Sequence, residues 1–172
     1  MKGSPKTRSQ AATQQAREDV IVFAVCGFRF AIAAAAVKEI RGMEGLQAFN
    51  LGGINSRIAK LAYTLERAGT TYFVVDAARH FCLAQAQPTR VMILRNSPTA
   101  VLVDSTDRIM EISALHALPR AFTHEERGWY RGLAVVNGVV VMPVVNHHAF
   151  LNKSELEALR AGLERVRGVV TV

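Results

Sequence analysis

From about residue 19 onwards, short runs of Val, Ile, Leu, Ala and Phe alternate with turns marked by Gly, Asn and Pro, a rhythm of strands rather than of long helices. Val20-Ile-Val-Phe-Ala-Val25 is apolar without a break, which predicts a strand buried on both faces. A tight turn at Cys26-Gly27 leads into a second strand, Phe28 to Ile32, and then a short segment ending in Val37-Lys-Glu-Ile40. The same order returns about seventy residues later. A strand begins at Arg90, turns at Asn96-Ser97-Pro98, returns to Val103, and is followed by Arg108-Ile-Met-Glu-Ile112. Each copy also ends alike: Gly69-Thr-Thr-Tyr-Phe-Val-Val-Asp76 with Phe81 after it matches Gly138-Val-Val-Val-Met-Pro-Val-Val-Asn146 with Phe150 after it. Agreement in order as well as in kind predicts two similar small β subdomains, about 19–88 and 89–152.

Other elements follow from local signals. Residues 1–18 are polar and basic without apolar periodicity, which predicts a mobile arm, with a turn or two of helix open to Ala11–Arg17. Residues 42–53 read as a loop. Ile58 to Leu65 fits a helix or a strand, and periodicity does not decide between them. Asp76 is placed to cap a short helix, 77–83, and Thr123 with Glu126 has capping-box spacing. Asn137-Gly138 between two Val-rich runs marks a hairpin, because both residues tolerate positive φ. A helix is predicted over 153–166, capped by Asn152 or Ser154, with Leu156, Leu159 and Leu163 on one face and Gly168 at its end.

Composition sharpens this picture. Twelve aromatics in 172 residues predict a core of Val, Ile, Leu and Ala rather than of rings. The longest apolar runs fall far short of a bilayer span, no apolar stretch before Val20 suggests a secretory signal, and the expected location is the cytoplasm. Cys26 and Cys82 show neither zinc nor disulfide spacing and read as reduced thiols. The formal charge of +7 invites a nucleic-acid reading, but the cations are dispersed and are not interleaved with aromatics for stacking. A basic surface facing an acidic protein partner accounts for the charge as well.

In the first half, Phe28-Arg-Phe-Ala-Ile32 with Val37-Lys-Glu-Ile40, Gly53-Ile-Asn-Ser-Arg57 and Val74-Val-Asp76 resemble the CheW-like domain of bacterial chemotaxis coupling proteins. In the second half, so do Ala100-Val-Leu-Val-Asp104, Arg108-Ile-Met-Glu-Ile112 and Tyr130-Arg-Gly132 before the Asn-Gly hairpin. The resemblance spans about 19–152 and leaves the arm and most of the segment 153–172, a helix and tail, outside it. It implies a mainly β fold: two SH3-like five-stranded barrels side by side, with short helices and a C-terminal helix. This chain departs from the pattern in three ways. Ile58 stands where a Gly follows the motif's Arg, about eleven residues intervene before Gly69, and Asn146 replaces the second Asp. These mark a divergent member.

Catalysis finds little footing. His147-His148 is the one metal-suggestive cluster, but neighbours on a strand face opposite ways, and exposed loop or helix-start histidines account for the pair. His80 lies four residues after Asp76, either as a carboxylate–imidazole pair or as a solvated histidine beside a cap. Asp104 and Asp107 fit a turn for backbone reasons. No phosphate loop or nucleophile elbow appears, so no enzyme activity, cofactor or metal is expected. Binding residues are proposed instead. Val37 and Ile40 form an apolar contact or ordinary core; Asn55 and Arg57 are polar fixing groups, unless Arg57 is a solvated loop charge; and Trp129, Tyr130 and Arg131 form a second patch or a cover over one barrel end. The resemblance implies an adaptor coupling a methyl-accepting type chemoreceptor's cytoplasmic tip to the regulatory domain of a CheA-type histidine kinase. The alternative from charge is a small-barrel nucleic-acid binder.

Overall fold

The computed structural model describes residues 17–49, 58–84, 87–136 and 138–169. The first repeat supplies strands β1 (Glu18–Val25), β2 (Phe28–Ala33), β3 (Val37–Arg41), β4 (Leu46–Ala48), β5 (Leu61–Arg67) and β6 (Thr70–Asp76), then helix α1 (Ala77–His80). The second supplies β7 (Arg90–Leu94), β8 (Thr99–Val103), β9 (Ser105–Ile112), β10 (Leu115–His116), helix α2 (His124–Trp129), β11 (Tyr130–Val136) and β12 (Val140–Val145). Helix α3 (Lys153–Val169) follows.

These strands form two six-stranded sheets, ordered β10-β11-β12-β2-β1-β9 and β3-β7-β8-β6-β5-β4. Five longer strands make up each sheet, with the short β10 at the edge of the first and the short β4 at the edge of the second. The duplication is therefore visible in the topology, but the sheets do not follow the two halves of the chain. Each repeat leaves its first hairpin in one sheet and sends its remaining strands to the other. β3 leaves the β1–β2 hairpin and pairs with β7 through Val37↔Leu94 and Ile40↔Met92. Reciprocally, β9 leaves β7–β8 and pairs with β1 through Val20↔Met110 and Ile21↔Ile109. The closing strands return in parallel to the hairpins, β12 beside β2 and β6 beside β8.

This exchange explains the unbroken apolar strands. Along β1, Val20 and Val22 enter the interior of one sheet, while Ile21, Phe23 and Val25 enter a third core between the sheets. In β7, Val91 and Ile93 face the other interior, and Met92 and Leu94 face the junction. The sheet interiors are aliphatic, apart from Tyr72 and its neighbour Tyr63. The junction is not: six of the eight phenylalanines lie there. Phe30 and Phe81 stack at 4.6 Å, and Phe81 and Phe150, each the residue that closes its repeat, meet at 5.9 Å. Narrow barrel interiors fill with small branched side chains, whereas the wider gap between two curved sheets takes rings.

Local signals resolve mostly as expected. The β1–β2 turn holds Cys26 at φ 52° and Gly27 at φ 80°. Asp76 caps α1, which stops at His80, and Thr123 forms its capping box with Glu126. The ambiguous stretch is strand β5, and β4 interrupts the expected loop. Asn152 caps α3 through Glu155 N at 2.9 Å, and the helix continues through Gly168 to Val169 rather than ending at the glycine. Residues 1–16, including most of the possible helical turn at Ala11–Arg17, and Asn137 of the hairpin lie outside the described residues.

Gly132 is required for a steric reason. A β-carbon there would lie 2.5 Å from the His116 carbonyl oxygen and 2.8 Å from Leu115 Cγ, where β10 crosses a bulge in β11. Because one neighbour is backbone, the strand itself must shift to admit a methyl group. Gly132→Ala is expected to lower stability by about 1–3 kcal/mol, and Gly128→Ala, where a β-carbon meets nothing within 4 Å, by under about 1 kcal/mol. Urea midpoints of the two variants test this, and equal midpoints would contradict it.

Candidate functional site: a groove at the sheet junction

The crossing from β2 to β3 is a single 3-10 turn, Ala34–Ala36. Its carbonyls are held by the second repeat: Arg95 N–H donates to Ala36 O at 2.8 Å, and the Arg95 guanidinium donates to Ala35 O at 3.1 Å and Val37 O at 3.2 Å. Beside this crossing a groove of about 990 Å³ opens, with the 3-10 turn and the β7–β8 turn on one side and the start of α3 on the other. Ala33, Ala36, Pro98, Leu151 and Leu156 give it an apolar floor. Its charged lining holds Arg95, Arg131, Lys153 and Arg160 against two carboxylates, Glu18 and Glu157.

Arg131 pairs with Glu18 at 2.8 Å, while Lys153 and Glu157 are 4.0 Å apart and largely exposed. The Arg160 side chain makes no ion pair or hydrogen bond within the described residues. His147 and His148 also line the groove, on a 3-10 turn capped by Asn146, with ring centroids 4.0 Å apart. They are therefore the helix-start residues expected from the sequence, with their rings tilted at 39° to each other. Burial, then His148 and Arg131, push the His147 imidazole below its ordinary range. Among the described residues no three His, Cys, Asp or Glu side chains group to hold a metal ion.

α3 is fixed at both ends. Leu159 is fully buried in the junction core, and Leu156 and Leu163 pack against it. Lys60 pairs with Glu155 at 3.1 Å, and Arg167 donates to Thr71 Oγ1 at 3.0 Å.

The residues singled out from sequence occupy several settings. Val37 is buried in the junction core, and Ile40 is partly exposed on edge strand β3. Asn55 and Arg57 lie outside the described residues. Trp129 and Tyr130 are half-buried in the aromatic cluster: Tyr130 stacks 5.7 Å from Phe81, and Trp129 O accepts the Asn146 N–H. Burial, reinforced by Glu126, pushes the Tyr130 hydroxyl up to about 12. Of the described members of the set, only Arg131 lines the groove. Sequence reasoning singled out neither Arg95 nor Arg160; for Arg95, an arginine directly after strand β7 and before a turn was the available signal. Asp104 has a backbone role: its carboxylate accepts the Cys26 N–H at 2.7 Å where β8 crosses to β9.

His80 is neither solvated nor paired with Asp76, whose carboxylate caps α1 and pairs with Arg79. It is buried between Trp129, 5.5 Å away, and Phe150, 4.9 Å away, with Nε2 lacking a partner among the described residues. Burial, with Lys60 adding to it, holds its pKa down at about 3.

The sequence model of the CheW-like domain matches residues 19–155. The chain belongs to the CheW-like domain family. The fold agrees: the crystal structure of the scaffolding protein TtCheW from Thermoanaerobacter tengcongensis superposes with a TM-score of 0.66 at 12% identity, covering 81% of this chain and 96% of that one. Comparison with curated protein sequences gave no match. The family match ends at Glu155, the third residue of α3, so Leu156 and Arg160 lie beyond it. No helix among the described residues is long and apolar enough to cross a membrane.

The buried imidazole gives this family member a measurable pH signature. An unfolded chain takes up a proton near pH 6.5 that the folded chain refuses until about pH 3. His80 therefore destabilises the fold as pH falls through that window, by up to about 1.4 kcal/mol per unit, and leaves stability intact above it. His80→Leu is expected to flatten the loss of stability between pH 6.5 and 4.5; parallel slopes for the two proteins in urea titrations would contradict this.

Proposed function

We propose that the chain is a non-enzymatic signalling adaptor that holds a chemoreceptor's helical cytoplasmic tip beside the regulatory domain of a CheA-type histidine kinase. The observation that carries this reading is the family match over both repeats, 19–155, combined with a groove at their junction. The fold relative in Thermoanaerobacter tengcongensis is itself described as a scaffolding protein. The adaptor works by geometry: two rigid sheets locked through one core keep two partners in register, without chemistry of its own. The setting is the cytoplasm, with no membrane insertion.

The receptor tip is assigned to the groove. Ile40 is kept as an apolar contact outside the groove, and Asn55 and Arg57 are kept as polar fixing groups. Arg67 ties the β5–β6 turn to β3, gripping Glu39 through Nη2 at 3.1 Å and Nε at 3.4 Å. The kinase domain binds elsewhere on the sheets.

Ala35 is exposed and lines the groove, so Ala35→Trp fills it without entering the core. Pull-downs with a receptor tip fragment and a kinase regulatory-domain fragment from the same cell test the reading. Wild-type protein should retain both, and Ala35→Trp should lose at least about tenfold in receptor affinity while retaining the kinase fragment. Failure of the wild type to hold either fragment, or receptor binding indifferent to Ala35→Trp, would contradict it.

A further inference from the structure

We propose that the C-terminal helix makes the groove selective for an acidic helical segment of the protein that occupies it. The inference rests on the groove being the docking surface, and adds what the occupant must look like.

Three observations converge. First, the groove's charge is lopsided: four cations face two carboxylates, and the Arg131–Glu18 and Lys153–Glu157 contacts leave Arg95 and Arg160 unmatched. Arg95 spends its hydrogen bonds on the Ala35 and Val37 carbonyls, which orient the guanidinium without neutralising it. Arg160, one turn beyond Leu156 on the groove side of α3, has no partner within the described residues. An incoming carboxylate would meet positive potential from both walls, in a concave site where fields are less screened than on an open surface.

Second, the groove offers no strand edge. Its strand residues belong to β1, β2 and β11, each already flanked on both sides by another strand, and the remaining lining comes from turns and α3. A partner strand would find no main-chain row to pair with, so the occupant must satisfy its own backbone. A helix does so, presenting an apolar stripe to Ala33, Pro98 and Leu156 with acids on either flank. Third, no Phe, Tyr or Trp lines the groove, and its rings are the two imidazoles of His147 and His148, which offer a nucleic-acid strand little stacking surface.

Arg160 is exposed and lies beyond the family match, so it sets selectivity in this chain without touching the core. Two designed amphipathic peptides of equal length and helicity serve as probes, one with Glu flanking its apolar stripe and one with Gln at the same positions. Anisotropy titrations use wild type, Arg160→Glu and Ala35→Trp. The Glu peptide should bind wild type at least about tenfold more tightly than the Gln peptide, with affinity falling as salt rises. Arg160→Glu should abolish the preference, and Ala35→Trp should abolish binding. Equal binding of the peptides, binding of neither, a preference surviving Arg160→Glu, or an oligonucleotide competing for the groove at physiological salt overturns the proposal. If the preference is absent but Ala35→Trp still blocks the receptor fragment, only the acidic occupant falls and the docking groove stands.

Discussion

The reciprocal exchange of strands between the two repeats is the constraint from which the rest of the structure follows. Because β3 completes the sheet of the second hairpin and β9 completes that of the first, neither repeat has a closed sheet of its own. Both hairpins become central, covered on both edges and both faces, and their sequences are accordingly apolar at nearly every position. Separating the halves would break four strand pairings, β1–β9, β2–β12, β3–β7 and β6–β8, and expose the phenylalanine-rich junction together. The consequence is a single rigid body with two similar sides, a suitable frame for keeping two partners at a fixed spacing.

The groove arises from the same crossing. Where β2 passes to β3, the chain needs a sharp change of sheet, made by three alanines whose small side chains leave room at the surface. Arg95 holds that turn in place from the other repeat. The corresponding crossing after β8 is closed by Asp104, which bonds the Cys26 amide across to β1. The repeats also end differently: after Phe150 the chain runs into α3, which lies along β5 and β6 and walls the groove, whereas after Phe81 it returns to β7. A near-symmetric fold thus presents an asymmetric surface, and α3 is its source.

Much of the architecture was legible because it rests on local rules. The turn at Cys26-Gly27, the cap at Asp76, the Thr123 capping box and the matched strand order all fall where side-chain chemistry and period dictate. The exchange was not legible: a strand such as Val37-Lys-Glu-Ile40 has the same alternation whichever hairpin it joins, and only non-local pairing decides. Leu61–Arg67 was ambiguous because its buried residues, Leu61 and Leu65, are four apart, a spacing shared by a helix face and by alternate strand positions. His80 was misjudged because its burial comes from Trp129 and Phe150, distant in sequence. The groove was hidden for the same reason: Ala35, Arg95, Arg131 and Arg160 are assembled from four separate elements.

The most direct test of the account is hydrogen–deuterium exchange on the full chain with and without the receptor tip fragment. Protection is expected to gather on 33–37, 95–98 and the first half of α3, leaving the α2 surface and the β11–β12 tip unchanged. Protection confined to those latter surfaces, or no change at the groove when the fragment is saturating, would contradict the claim that the junction is where the partner is held.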